Sequence, residues 1–144
     1  METLVIDNGY KKIAINNEDG ELVTVLRINV ADAELPIKFT NIINKLNKLE
    51  SDYAAKANEI KIGGKNIDVI QLTQFKVSYI TDLMAEIDDV FGRDTCKNVY
   101  GDIIPDELML LEFIEKLVPI MNNLLAKRIE INAKKYNSKR LGAR

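Results

Sequence analysis

The sequence predicts an α+β fold that is mostly helical, with a small N-terminal antiparallel β meander followed by three long amphipathic helices and one short helix. Strict alternation of polar and apolar residues is confined to residues 1–31. From Pro36 onward, apolar residues instead recur at three- and four-residue steps, the period of a helix. A length of 144 residues suits one domain. We therefore expect a single domain with a β unit at 1–31, a helical part at 36–136 and a flexible basic tail at 137–144.

The β unit is predicted from two turn signals and the alternation between them. The apolar run Leu4–Ile6 ends at Asp7-Asn8-Gly9, a typical turn sequence. Asp19-Gly20 favours a hairpin between two alternating segments, 12–15 and 21–30. This pattern indicates two or three antiparallel strands, which must pack against a helix or another chain because so small a sheet is marginal alone.

The first two long helices are bounded by residues that favour helix ends. Pro36 suits the first position of a helix that we expect to reach about Asn58. A loop containing Gly63 and Gly64 follows, and Asn66 is a candidate N-cap for the second helix. Each helix has one apolar stripe, which predicts that both lie on a shared core.

A compact junction is predicted where the second long helix ends. Gly92 suits the position after a helix C-terminus, and Gly101 suits the end of a one- or two-turn helix around residues 94–100. Apolar anchors flank both glycines. We expect the following residues to form this structural motif: Phe91, Gly92, Thr95, Tyr100 and Gly101.

The last helix, opened by Pro105 and predicted to kink at Pro119, is apolar over most of its circumference. Such a helix is either central in its own domain or shared with a partner. In so small a domain we expect part of it to face another chain. The predicted partner-binding residues are Leu110, Phe113, Leu117, Ile120, Met121, Leu124, Lys127, Arg128, Lys134 and Lys135.

The charge distribution is asymmetric. Seven basic residues and one acid occur from Lys127 onward, a net charge of +6, whereas residues 1–126 carry −8. Three interpretations of the basic segment stand: a solvated helix end that suits the helix dipole, a surface for a protein partner, or a contact with nucleic acid. The acidic body argues against nucleic acid, so we expect a protein partner, another copy of this chain included.

The sequence contains little that could carry chemistry. It has no His, hence no imidazole base near neutral pH and no His metal ligand. Cys96 has no His to activate it, and the acids at 82, 86, 88 and 89 are more typical of a solvated helix face than of a cation site. No apolar run is long enough for a membrane span. We expect no enzyme activity, no cofactor, no metal and no membrane partner.

Four segments resemble the tail assembly chaperones of long-tailed phages and prophages of Gram-positive hosts. Residues Met84–Cys96 contain the acidic-aromatic pattern D-x-x-F-G-x-x-T, and Val99–Asp102 supplies a second aromatic-Gly pair. Leu111–Glu115 begins a helix rich in leucine and phenylalanine, and the basic ending Lys134–Arg140 is also similar. The resemblance covers about residues 67–140 and carries no catalytic residue.

The resemblance implies a function without catalysis. Such chaperones associate with themselves, bind the tape-measure protein and keep it soluble, and recruit tail-tube proteins. It further implies a location in the cytoplasm of the bacterial host and absence from the mature virion. The alternative is a structural subunit of the tail or connector that stays in the particle.

Overall fold

The computed structural model describes residues 1–62 and 68–142 of the chain, with side chains for 1–60 and 68–138. It confirms the α+β, mostly helical fold. The elements in chain order are β1 (Tyr10–Asn16), β2 (Leu22–Asn29), α1 (Leu35–Ile62), α2 (Val69–Phe91), α3 (Thr95–Tyr100) and α4 (Glu107–Gly142).

The sheet is an antiparallel hairpin of two strands, so the third strand allowed by the sequence is not formed in the described residues. Tyr10 pairs with Asn29 and Ile15 with Thr24, and the register shifts after Ile15. Alternation places Leu26 and Ile28 in the core with 2% and 0% exposure, while the other face of the hairpin stays exposed.

The apolar run Leu4–Ile6 lies outside this sheet because a tight turn directs it away. The Gly9 N–H donates to Asp7 Oδ1 (2.8 Å), and the Gly9 carbonyl accepts from the Val30 N–H (2.9 Å). Gly9 has φ +80°, a conformation that L side chains rarely adopt. Residues 1–8 therefore leave the hairpin at its open end and are exposed.

α1 and α2 form an antiparallel helical hairpin. α1 starts one residue before the predicted Pro36 and continues past Asn58 to Ile62. Asp68 caps α2, its carboxylate accepting from the Ile70 and Gln71 N–H groups. The predicted cap Asn66 and loop glycines lie outside the described residues.

One hydrophobic core joins the β hairpin (β1 and β2) to all four helices. At its centre, four aromatic rings meet in consecutive pairs with their planes steeply inclined. Phe39 of α1 lies 6.1 Å from Phe91 of α2, and Phe91 lies 6.4 Å from Phe113 of α4. Phe113 lies 6.2 Å from Tyr100 of α3. Edge-to-face pairs of this kind contribute roughly 0.5–1.5 kcal/mol each beyond their area burial.

α4 differs from its prediction at both ends. It begins at Glu107, not at Pro105, because Asp106 caps it by accepting the Met109 N–H at 3.0 Å. It continues through Pro119 to Gly142. Residues 137–142, which the sequence assigned to a flexible basic tail, are therefore helical, and no glycine or proline lies between Pro119 and Gly142.

We expect Gly9→Ala to destabilise the protein much more than Gly20→Ala. Both glycines have φ near +80°, which costs an L residue about 1–2 kcal/mol. An added Cβ at Gly9 would lie 2.3 Å from Ala31 Cβ, whereas nothing lies within 4 Å at Gly20. Urea unfolding of both variants measures the difference, and equal losses of unfolding free energy would contradict this account of the turn.

Candidate partner-binding surface

Several of the predicted partner-binding residues in the first half of α4 are buried in the core of the chain itself. Leu110, Leu117 and Met121 are 0%, 4% and 0% exposed. Together with Ile114 they form the helical stripe that packs onto the rest of the chain. These three side chains therefore offer no surface to a partner in this fold, because the domain itself uses the apolar face that the sequence assigned to another chain.

Phe113, another predicted partner-binding residue, is half-buried at the junction between α2 and α3. It lies between Phe91 and Tyr100, and the Tyr100 hydroxyl donates to the Met109 carbonyl at 3.2 Å. Burial raises the pKa of Tyr100 well above its ordinary value. Phe113 thus holds α4 to α3.

The glycines and Thr95 shape this junction as the sequence predicts. Gly92 (φ +110°) donates its N–H to the Asp88 carbonyl as α2 ends, and Gly101 (φ +75°) ends α3. Thr95 is buried, and its hydroxyl donates to the Gly92 carbonyl at 2.7 Å. The motif therefore fixes the direction of the chain between two helices.

The remaining predicted residues lie further along α4. Ile120 is 39% exposed and Leu124 is half-buried. Arg128 is half-buried and lies 3.7 Å from Asp7, whereas Lys134 pairs with Glu130 at 3.0 Å on the same helix. Side chains from 129 to 138, which include Lys134 and Lys135, are all exposed, as is Lys127. This part of α4 is a projecting basic helix.

An open apolar groove lies between α1 and the start of α4. It has a volume of about 520 Å³. The apolar lining comes from Leu46, Leu49 and Tyr53 of α1 and from Leu108 and Leu111 of α4. Leu108 stands at its rim with 69% of its surface exposed. A groove of this form suits the apolar face of an amphipathic helix.

Charged side chains border the groove. Lys76 of α2 lies 3.2 Å from Glu107 Oε1, and its ammonium stands 4.6 Å from the centre of the Tyr53 ring. The second oxygen of Glu107 is buried and has no hydrogen-bond partner in the described part of the chain. The exposed Glu50 on the α1 side is the carboxylate of the groove border that a basic partner can reach.

The two possible chemical sites have structural roles. Cys96 is 2% exposed, and its backbone N–H donates to Asp88 Oδ1 at 2.9 Å. Burial, and to a lesser extent the negative charge of Asp88, raises the pKa of the Cys96 thiol to about 12. Glu86 pairs with Lys45. Within residues 1–62 and 68–142, no three His, Cys, Asp or Glu side chains are grouped so that they could hold a metal ion.

Comparisons with known proteins add no assignment. No protein-family model, curated protein or solved structure matches this chain. Over the described ranges, no helix has both the length and the apolar character needed to cross a membrane.

Sequence reasoning placed the partner surface on α4 alone and missed the contribution of α1. Leu46, Leu49 and Tyr53 belong to the predicted core stripe of the first helix, and Leu108 and Leu111 belong to the apolar set of the last. Periodicity identifies these residues as apolar. It does not show where two stripes diverge and leave a gap, which depends on how the helices cross.

We expect Phe113→Ala to lower the free energy of unfolding by about 2–4 kcal/mol, because it removes a ring from between two others. Ile120→Ala is the matched control on the same helix, with an expected loss below about 0.5–1 kcal/mol at an exposed site. Thermal and urea unfolding measure both. Similar small losses would place Phe113 on a free surface after all.

Cys96 should resist thiol reagents in the folded protein. Burial raises the pKa of its thiol to about 12, so the reactive thiolate is scarce at pH 8, and burial also blocks access of the reagent. Labelling with a disulfide reagent at pH 8 should be slow in buffer and fast in urea. Fast labelling of the native chain would contradict the buried position.

Proposed function

We propose that this chain is a non-enzymatic tail assembly chaperone of a long-tailed phage or prophage. It associates with itself, binds the tape-measure protein and recruits tail-tube subunits. It acts in the cytoplasm of the bacterial host and leaves before the virion is complete. The observation that carries this proposal is the open groove between α1 and α4.

The groove supports a helical client. Two turns of α1, from Leu46 to Tyr53, form one apolar side of the groove. Leu108 and Leu111, near the start of α4, form the opposite side. A tape-measure protein is a long helical chain, so its apolar stripe needs cover until the tube surrounds it. Helix-in-groove docking supplies such cover through apolar residues spaced three and four apart.

The charges and the resemblance support the same client. The exposed carboxylate of Glu50 borders the groove, which favours a helix with Lys or Arg beside its apolar stripe. The junction Phe91, Gly92 and Thr95, which carries the resemblance, holds α4 where the groove requires it. No step of this function needs a nucleophile, a cofactor or a metal.

The test is co-expression with the tape-measure protein of the same phage or prophage, followed by size-exclusion chromatography with light scattering. We expect a soluble complex with several copies of this chain per client. Leu108→Asp should abolish the complex, because it puts a charge on the groove rim. Ile37→Asp, at a site 62% exposed on α1 but outside the groove, should leave it intact.

Both variants should unfold at the same temperature as the parent chain, since both side chains are exposed. A complex that survives Leu108→Asp would move the client elsewhere on the surface. An insoluble client beside this chain, together with this chain in purified particles by mass spectrometry, would favour a structural subunit of the tail or connector.

A further inference from the structure

One edge of the hairpin presents unpaired backbone groups. The Val30 N–H donates to the Gly9 carbonyl, so Gly9 and Val30 form a hydrogen-bonded pair. Such pairs alternate along an antiparallel ladder, and the register then makes Val25 and Arg27 members of non-hydrogen-bonded pairs. Their N–H and C=O groups point away from β1, towards the outer edge of β2. None of these groups has a partner among the described residues.

A cleft runs along this edge. It has a volume of about 460 Å³ and lies between β2 and the junction of α2 with α3. One wall is the strand from Thr24 to Arg27, and the other includes Phe91, Arg93 and Asn98. An extended segment placed here could hydrogen-bond to β2 and fill the cleft with its side chains. This is the geometry of β-strand addition.

An exposed apolar segment precedes the β hairpin and packs against no core residue in the described part of the chain. Leu4, Val5 and Ile6 are 86%, 89% and 74% exposed, and they belong to no helix or strand. Such a run exposes apolar surface and a full row of backbone donors and acceptors. Asp7 anchors its far end near Arg128 of α4, at 3.7 Å, and the Gly9 N–H lowers the pKa of the Asp7 carboxyl.

The charges of the cleft favour binding of the segment that contains Leu4–Ile6. Arg27 and Arg93 border the cleft, and neither forms an ion pair within the described part of the chain. Two acids line the cleft. Asp32 is paired with Lys38 at 3.3 Å, so Asp89 is the acid whose charge opposes the two arginines. The apolar segment carries the acid Glu2 ahead of it, and residues 1–6 include neither Lys nor Arg.

We propose that residues 2–6 of one copy add as a third strand to the β2 edge of a second copy. The donor supplies Leu4–Ile6, and the acceptor supplies the outward backbone groups of Val25 and Arg27. Because each copy carries one donor and one acceptor, the contact can join copies head to tail. The inference rests on the self-association in the proposed function and assigns it to the β hairpin and the segment before it, without use of the groove.

Sedimentation velocity of the full chain over a wide concentration range is the test. We expect self-association that Val5→Pro weakens by about tenfold or more, since proline removes a strand N–H. Val5→Ile retains the N–H and the apolar side chain and should associate like the parent. Both substitutions fall at a site 89% exposed, so neither should alter the unfolding temperature.

Hydrogen exchange distinguishes addition between copies from addition within one. The amides of Val25 and Arg27 should gain protection as the concentration rises. Protection that is independent of concentration would mean that the segment inserts into its own chain, and it would overturn the proposal. A monomer at every concentration, or association that Val5→Pro leaves unchanged, would overturn it too. The client complex tests the groove separately, so a chain that binds its client without associating through residues 2–6 would overturn this strand contact and not the groove.

Discussion

The chain of aromatic contacts from Phe39 through Phe91 and Phe113 to Tyr100 is the interaction on which the rest of the structure depends. It takes one ring from each helix and so sets α4 against the α1–α2 hairpin at a fixed place. Gly92 and Thr95 make this possible by ending α2 and restarting the chain as α3. These rings act together with the buried stripe of α4, which packs onto the same core, to hold α4 at the position that opens a groove beside α1.

The position of α4 explains why one of its apolar faces is buried in the core and another lines the groove. The stripe through Leu110, Ile114, Leu117 and Met121 closes the core of the chain. Leu108 and Leu111, on a neighbouring face, are left beside α1 and line the groove. The chain therefore combines a stable domain with an unfilled apolar surface, which is what a protein that binds helical clients without catalysis requires.

The fold was largely predictable, because element types follow from local periodicity and turn chemistry. Alternation in 21–30 and the Asp19-Gly20 turn give the hairpin, and Gly92 gives the end of α2. The unpaired state of Leu4–Ile6 was not predictable, since it follows from the Gly9 turn packed against Ala31.

The site was predicted less well than the fold. The partner-binding set on α4 included core residues such as Leu110 and Met121, since an apolar side chain looks the same whether its cover comes from its own chain or another. The helical end at 137–142 was missed for a different reason: Lys and Arg fit a helix as readily as a tail. The error at Leu110 and Met121 concerns tertiary placement, about which spacing along one sequence says little.

We propose that the groove between α1 and α4 holds a client helix, and hydrogen-exchange mass spectrometry of this chain, alone and with a saturating tape-measure fragment, can locate that helix. A client in the groove should give new protection in 46–53 and 107–111 and little change in the part of α2 that faces away from the groove. Binding without protection in these two segments, or no binding at all, would contradict it.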